Sequence, residues 1–367
     1  MQNFTGLGNY SRYVADILCH FYPENDYVLY APKKRENKRM NLLTGQYRQL
    51  TLAYPATSFW KKLSSLWRVW GITSQLEKEG IELFHGLSNE LPLNIHKSRI
   101  KSIVTIHDLI FLRYPQYYQS IDRKIYTYKF RKACENADKI IAISECTKRD
   151  IIRYFNIPDD KIEVVYQGCD VSFTHPVTEE KKEEVRKKYQ LPDHYILNVG
   201  SIEERKNILA AVQALPMLPQ HIHIVIVGRR TGYTEKVEQF IKDNGLGERV
   251  HIISNVPFND LPAFYQSAEI FVYPSRFEGF GIPIIEALYS GIPVVAATGS
   301  CLEEAGGPDS IYVNPDDITG LADAFKQIYS NSDKRKNMVE KGRGFAKRFS
   351  EKQQSEEIIN IYKKLIR

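Results

Sequence analysis

The stretch SRFEGFGIPIIEALYSGIPVV, from Ser275 to Val295, sets two carboxylates, Glu278 and Glu286, eight positions apart, with Gly279, Gly281 and Pro283 between them. A glycine turn that opens a helix presents free N–H groups and the positive end of the helix dipole, which favour an anion. A carboxylate beside such a place needs another kind of ligand. It can accept two O–H bonds from a diol, so a sugar next to a diphosphate satisfies both halves of the pattern. In the plainer reading, Glu286 complements the dipole and Glu278 is solvated. Spacing alone leaves both open.

Specific elements must position these groups. The preceding AEIFVYPS reads as a short apolar strand ending at Pro274–Ser275. Gly279 and Gly281 permit positive φ or close backbone approach, and Pro283 suits a first helical turn. Ile284, Ile285, Ala287 and Leu288 continue at helical spacing; Gly291 and Pro293 stop the helix, and PVVAA starts another strand. The unit is strand, glycine turn, helix, strand, and it lets both glutamates face one crevice.

The same alternation runs along the chain. DYVLYAP, IELFHG, KSIVTIHDL, DKIIAISE and KIEVVYQG read as strands of the first half; YILNVGS, IHIVIVGR, RVHIIS, AEIFVYPS and IPVVAAT as strands of the second. Helix-length segments separate them, which implies two doubly wound α/β domains. A polar stretch, Val171–His194, reads as a linker and then a helix that opens the second domain. The expected organisation is residues 1–172, residues 173–348, and a C-terminal helix over 349–367 that crosses back to the first domain. In such sheets ligands bind beyond the C-terminal strand ends, so a cleft between the domains is the expected site. The start is unusual. A glycine turn, Gly6-Leu7-Gly8, should follow a strand, and only five residues precede it. The expectation is that a first strand is missing ahead of it.

Composition narrows the function classes. The 367 residues carry a formal net charge of +6. Basic clusters lie at KKRENKR (Lys33–Arg39) and DRKIYTYKFRK (Asp122–Lys132), both in the first half. They read as solvated surface or as an attraction to an anionic membrane or lipid diphosphate. Neither belongs to a nucleic-acid recognition motif. Cys19, Cys134, Cys146, Cys169 and Cys301 are scattered without C-x-x-C pairs, which argues for a reducing compartment and against zinc. No leader pattern and no run approaching the ~20 apolar residues of a membrane span is visible. The expected location is cytoplasmic, peripheral at the inner face of the membrane.

Several stretches together resemble one family: TGLGNYSRYV, FHGLSNELP, TIHDLIFLRYP, IAISECTKRDI, NVGSIEERKN, the run from NVPFNDLP through EGFGIPIIEALYSGIPVVAA, and LEEAGGPDSIYVNPDD. The chain resembles the retaining, nucleotide-sugar-dependent glycosyltransferases of family 4, with the GT-B fold of two Rossmann-like domains. It is most similar to bacterial mannosyltransferase-like members that build cell-surface polysaccharide. Glu278 and Glu286 satisfy that family's E-x7-E signature.

The resemblance implies roles. Glu286 would hold ribose hydroxyls of the donor nucleotide, and Glu278 donor-sugar hydroxyls. Phe280, Gly281 and Ile282 would offer backbone groups beside sugar and diphosphate. Arg205 and Lys206 would neutralise the diphosphate, and Gly6 and Gly8 would let the first domain's backbone close over it. His107 would stand near the donor sugar and the incoming acceptor, and Asn255–Val256 would line the base pocket. Ser201 departs from an arginine common in the family, which leaves more of the charge to Arg205 and Lys206.

Chemistry independent of the family agrees. A leaving diphosphate gains negative charge, and preorganised cations aimed at it stabilise the transition state. No D-x-D triplet is present, so no metal is expected, and no cofactor beyond a GDP- or UDP-sugar donor. The expected partners are that donor, a glycan or lipid-linked acceptor and an anionic membrane surface; nucleic acid is not expected. Two rival readings are a GT-B sugar-nucleotide epimerase and a non-catalytic sugar-nucleotide-binding partner. Trp60, Leu63, Trp67 and Trp70 share one face if FWKKLSSLWRVW is a single helix, either as core or as a membrane-interface face.

Overall fold

A computed structural model describes residues 6–34 and 37–366. The chain divides into two compact units, Met1–Gln167 with Glu351–Arg367, and Gly168–Ser350.

The second unit is built on a six-stranded sheet: β7 (Tyr195–Val199), β8 (His223–Val227), β9 (Val250–Ile253), β10 (Ile270–Tyr273), β11 (Val294–Ala297) and β12 (Ile311–Val313), in the order β12-β11-β10-β7-β8-β9. All neighbours are parallel. Helices cover both faces, so the central strands are apolar throughout rather than alternating. Ile196, Ile224, Ile226, Ile270, Val272 and Val295 share one core with Ala210, Ala211 and Phe325 of the flanking helices. The helix Ile282–Ser290 follows β10, and Gly291 ends it in the left-handed region at φ 76°. This is the βαβ unit expected from the sequence. The start of Val171–His194 is packed rather than loose: Phe173 is buried edge-on against Tyr265 and Phe258. Thr178 caps the helix Glu179–Tyr189.

The first unit holds a four-stranded parallel sheet, β3 (Leu83–Gly86), β4 (Lys101–Ile106), β5 (Lys139–Ala142) and β6 (Ile162–Val164), and a separate parallel pair, β1 (Tyr27–Tyr30) with β2 (Leu50–Ala53). The helix Glu351–Ile366 belongs to this unit; its Ile358, Ile359 and Ile361 share a core with Tyr10, Val14, Ile17 and Leu18 of the helix Gly6–Phe21.

Some details differ from expectation. Gly6 and Gly8 lie inside the helix Gly6–Phe21, not in a turn ahead of it. The expected first strand would precede Gly6 and lies outside the described residues, as does part of Lys33–Arg39. The tryptophan stretch is not one helix: Leu63 breaks it, and a π turn, Trp67–Gly71, follows. Trp67 is buried and Trp60 packs over Gly71, whereas Trp70 is 50% exposed. Among the described residues no helix is long and apolar enough to cross a membrane. All five cysteines are buried, and none of them forms a disulfide.

Candidate functional site

The C-terminal ends of β7 and β10 carry the chemistry of the second unit. After β7 the chain turns through Gly200 at φ 154° into a short 3-10 turn, Glu204–Lys206, closed by Asn207 in the left-handed region. A Cβ at Gly200 would sit 3.3 Å from the Lys206 ammonium, so glycine there leaves room for that side chain to fold back. Asn207 pins the turn by donating to the carbonyls of Pro274 (3.3 Å) and Pro315 (2.8 Å). After β10 the chain passes Ser275, and the Arg276 amide donates to the Arg205 carbonyl at 2.9 Å. Two loops that are far apart in sequence are thereby locked together.

Between them lies Glu278. Its Oε2 is 2.9 Å from Arg205 Nη1, and its Oε1 is 3.2 Å from Lys206 Nζ. Oε1 also accepts from Ser275 Oγ at 2.8 Å and Tyr273 OH at 3.2 Å. Lys206 donates to Tyr273 OH at 2.9 Å as well. Side-chain exposure is only 13% for Glu278, 15% for Arg205 and 17% for Lys206. Burial would raise the Glu278 carboxyl, but the charges of Lys206 and Arg205 and the Ser275 hydrogen bond outweigh it and hold the group down at about 2. Burial opposes charge on Lys206 and Arg205 too, yet Glu278 keeps both more firmly protonated than usual. The three-residue cluster carries one excess positive charge in a partly desolvated place, where electrostatics are strong.

The turn after Glu278 is specified by packing. Gly281 has φ 136°, and a Cβ there would approach Leu302 at 3.2 Å and Ala305 at 3.3 Å. The Cys301 thiol donates to the carbonyls of Glu278 (3.0 Å) and Phe280 (2.8 Å). Phe280 is anchored edge-on to Phe349 with ring centroids 5.5 Å apart. Ile282 therefore opens its nine-residue helix from a fixed loop. Glu286 sits on that helix, half-buried, and accepts from Tyr265 OH at 2.6 Å. Burial pushes its carboxyl up to about 7, with the Tyr265 bond pulling down and the Asp170 charge adding to the rise. The two glutamates thus occupy opposite protonation environments. Asn255, at φ 59° and exposed, and Val256 follow β9 at the same C-terminal edge of the sheet.

His107 belongs to the first unit, immediately after β4. It is 6% exposed. Its backbone amide donates to Asn89 Oδ1 at 2.7 Å, its Nε2 donates to the Leu87 carbonyl at 3.0 Å, and Gln167 Nε2 lies 3.2 Å from its Nδ1. Tyr10 packs edge-on against the ring at 4.7 Å. Burial lowers the imidazole to about 4, against the opposing pull of the Leu87 carbonyl. The ring is neutral at pH 7, with both nitrogens engaged inside the unit. Gly6 and Gly8 begin the helix that carries Tyr10.

Sequence reasoning missed Tyr273, Ser275, Tyr265, Cys301 and Gln167. Tyr273 and Ser275 carried a usable signal, since both close the strand that leads to Glu278. The others meet their partners only through the fold. Among the described residues no group of three or more His, Cys, Asp or Glu side chains is arranged to hold a metal ion.

Comparison with known proteins identifies the family. Residues 11–173 match the family described as Glycosyltransferase Family 4, and residues 179–345 match Glycosyl transferases group 1. The O-antigen chain mannosyltransferase B of Escherichia coli is 31% identical over 289 residues, covering 77% of this chain and 74% of that protein. Among solved structures, a glycosyltransferase from Rickettsia africae ESF-5 superposes with a TM-score of 0.80 at 20% identity, covering 99% of this chain and 96% of that one. Anabaena Alr3699/HepE, solved in complex with UDP and glucose, gives 0.77 at 16% identity, covering 99% and 97%. The fold is that of the GT-B enzymes, and the chain is a glycosyltransferase of family 4.

Proposed function

We propose that this enzyme transfers mannose from GDP-mannose, with retention and without a metal ion, to a glycan or lipid-linked acceptor in cell-surface polysaccharide synthesis. The observation that carries the reading is the Arg205–Glu278–Lys206 cluster beside the glycine-led helix at Ile282. Its excess positive charge and the helix N-terminus suit a diphosphate that leaves as an anion. Glu278 fixes both cations before substrate arrives, so little reorganisation accompanies charge development. Glu286, next to the Tyr265 hydroxyl, suits a ribose diol. The mannosyl assignment draws on the E. coli O-antigen mannosyltransferase. HepE holds UDP and glucose, so the base is open to test. His107, neutral and with both ring nitrogens engaged inside the first unit, suits a positioning role near the site rather than proton transfer at neutral pH.

The first unit also suits an anionic membrane at the inner face, where a lipid-linked acceptor resides. Phe59, Leu66 and Trp70 are exposed beside Lys61, Lys62 and Arg68.

A donor panel tests the reading: thermal shift and turnover with GDP-mannose, GDP-fucose, UDP-glucose and UDP-galactose, and product stereochemistry by NMR. Stabilisation and transfer with GDP-mannose alone, giving an α-linked product from the α-linked donor, is expected. Conversion of a nucleotide sugar to its epimer without transfer would make this an epimerase. Binding without either reaction would make it a non-catalytic partner.

A further inference from the structure

Tyr273 closes β10 and is buried. Phe271, on the same face of the strand, stacks on it with ring centroids 5.9 Å apart and stacks on Tyr265 at 5.3 Å. The ring is thereby fixed, with its hydroxyl 2.9 Å from Lys206 Nζ and 3.2 Å from Glu278 Oε1. Burial and the Glu278 charge keep the phenol protonated, far above its ordinary range. A protonated phenol both donates and accepts, so the ammonium donates to the phenol oxygen and the phenol donates to the carboxylate. Charge-assisted N–H···O bonds are ordinarily ~2.7–2.9 Å long. Lys206 is 3.2 Å from the carboxylate and 2.9 Å from the neutral hydroxyl, so its shorter bond goes to the uncharged partner. Attraction alone would close the ion pair, and the flexible lysine stem would allow it. Oε1 is crowded besides: Ser275 Oγ at 2.8 Å, Tyr273 OH and Lys206 Nζ all converge on it, and an oxygen of a carboxylate has room for about two donors.

We infer that Tyr273 is a positioning residue for the leaving diphosphate: its hydroxyl holds the Lys206 ammonium off Glu278, so that charge and one N–H remain for a phosphate oxygen of the donor. An ammonium has three N–H groups. One goes to Tyr273 and one toward Glu278, which leaves the third. Without the hydroxyl, Lys206 would settle on the carboxylate, and an arriving diphosphate would have to pull the pair apart. A cation already in place avoids that reorganisation. Arg205 cannot take over the task, because its Nη1 is tied to Glu278 Oε2 at 2.9 Å and to the Phe277 carbonyl. The role rests on the leaving-group reading of the cluster, and Tyr273 acts through Lys206 rather than on the substrate. An ordinary core tyrosine also finds a partner for its hydroxyl, but only a positioning role ties it to phosphate affinity.

The test uses Tyr273→Phe, which keeps the ring and its stack on Phe271 and removes the hydroxyl alone, beside Lys206→Ala and the double variant. Calorimetry with GDP, GMP, UDP and UMP reads phosphate affinity, and initial rates with GDP-mannose and UDP-glucose read turnover. Tyr273→Phe should weaken the preferred nucleoside diphosphate by about tenfold and leave its monophosphate within about twofold, the pattern expected when a hydrogen bond to a charged group is lost at the outer phosphate. Turnover should fall by about tenfold as well. In the Lys206→Ala background the same change should cost less than about twofold, because the residue through which Tyr273 acts is gone. Equal weakening of mono- and diphosphate, which a disturbed fold would also give, would overturn the role. So would an unaffected Tyr273→Phe beside an impaired Lys206→Ala, or a full loss repeated in the double variant; each of these leaves the leaving-group reading standing. Parent-like binding and turnover in Lys206→Ala would remove that reading and the role of Tyr273 with it.

Discussion

Lys206 Nζ stands 3.2 Å from Glu278 Oε1, joining loops that lie more than 70 positions apart in sequence and meet at the ends of two neighbouring strands. The pair is electrostatically mutual: each keeps the other charged in a place where burial alone would neutralise both. Removing Glu278 takes the shared partner from both cations, whereas removing Lys206 leaves Glu278 held by Arg205, so a variant here disturbs more than one contact.

Lys206→Ala should lower kcat by ~10²-fold or more, the usual loss when a group stabilising developing charge is deleted. Binding of the nucleoside diphosphate product should weaken as well, because charge-assisted hydrogen bonds contribute ~1.5–3 kcal/mol each. Steady-state kinetics and titration calorimetry with GDP and UDP measure the two effects. Turnover close to that of the parent enzyme would remove the cluster from the leaving-group role.

Glu286 should make nucleotide binding pH-dependent. Its carboxyl is held at about 7 in the folded protein, well above its ordinary 4.5. A ribose diol donating two O–H bonds favours the ionised form, so binding should release a proton and tighten as pH rises toward 7, then level off. The stability sign is opposite. A raised carboxyl favours the folded state while protonated, and that contribution fades as pH climbs from about 4.5 to about 7. Calorimetry in buffers of differing ionisation heat reads the released proton. Glu286→Gln should abolish the release, and a variant that still releases it would exonerate this residue.

Which of these features a sequence can show depends on range. The module from β10 through Gly281 to β11 was legible because its signals are local: an apolar run, glycines, a first-turn proline, a stop. The ion cluster was legible only as separate residues. Arg205 and Lys206 read alone as a solvated turn, and their capture by Glu278 requires β7 to lie beside β10. The protonation of Glu286 was not legible, since it depends on Tyr265 and Asp170 closing around it. FWKKLSSLWRVW misled by its even spacing; the break at Leu63 sends Trp67 inward and Trp70 outward. The strand order β3-β4-β5-β6, with β1 paired to β2, is likewise a property of pairing, which no local pattern encodes.

Transfer should continue in EDTA. Arg205, Lys206 and the helix opening at Ile282 already supply positive charge to a leaving diphosphate. Initial rates with and without millimolar chelator decide this. Loss of activity that Mn²⁺ or Mg²⁺ restores would show that the leaving group is held by a cation instead.

Acid should destabilise the first unit before the bulk of its carboxylates titrate. Burial holds His107 down at about 4 and His85 at about 3, against an ordinary 6.5. Above pH 6.5 both are neutral whether folded or unfolded, and they add no slope. Between pH 6.5 and about 4 the unfolded chain takes up protons that the folded one refuses, so stability falls as pH falls. The slope approaches ~1.36 kcal/mol per pH unit for each histidine. Denaturant unfolding from pH 7 to pH 4.5 should show it, and His107→Asn should remove about one histidine's share. An unchanged slope in that variant would mean that His107 is not the group refusing the proton.

The exposed apolar side chains of the first unit should seat it on anionic membranes. Phe59, Leu66 and Trp70 are each at least half exposed, as are Ile121 and Tyr128 on the helix Ser120–Asn136. The two stretches adjoin, because Glu90 bridges Arg68 at 3.2 Å and Lys129 at 3.1 Å. Lys61, Lys62 and Lys124 add positive charge around the apolar side chains. Apolar residues ringed by lysine and arginine bind through shallow insertion plus attraction to acidic headgroups, and both contributions should be measurable. Vesicles containing phosphatidylglycerol should bind the enzyme and shift tryptophan emission to the blue, whereas phosphatidylcholine vesicles should bind it weakly. Raising salt should weaken the attraction without affecting the fold. Trp70→Glu combined with Ile121→Glu should cut vesicle affinity by about tenfold or more while leaving donor hydrolysis in solution unchanged. Equal binding to both lipids, or full binding by the double variant, would assign this face a different partner.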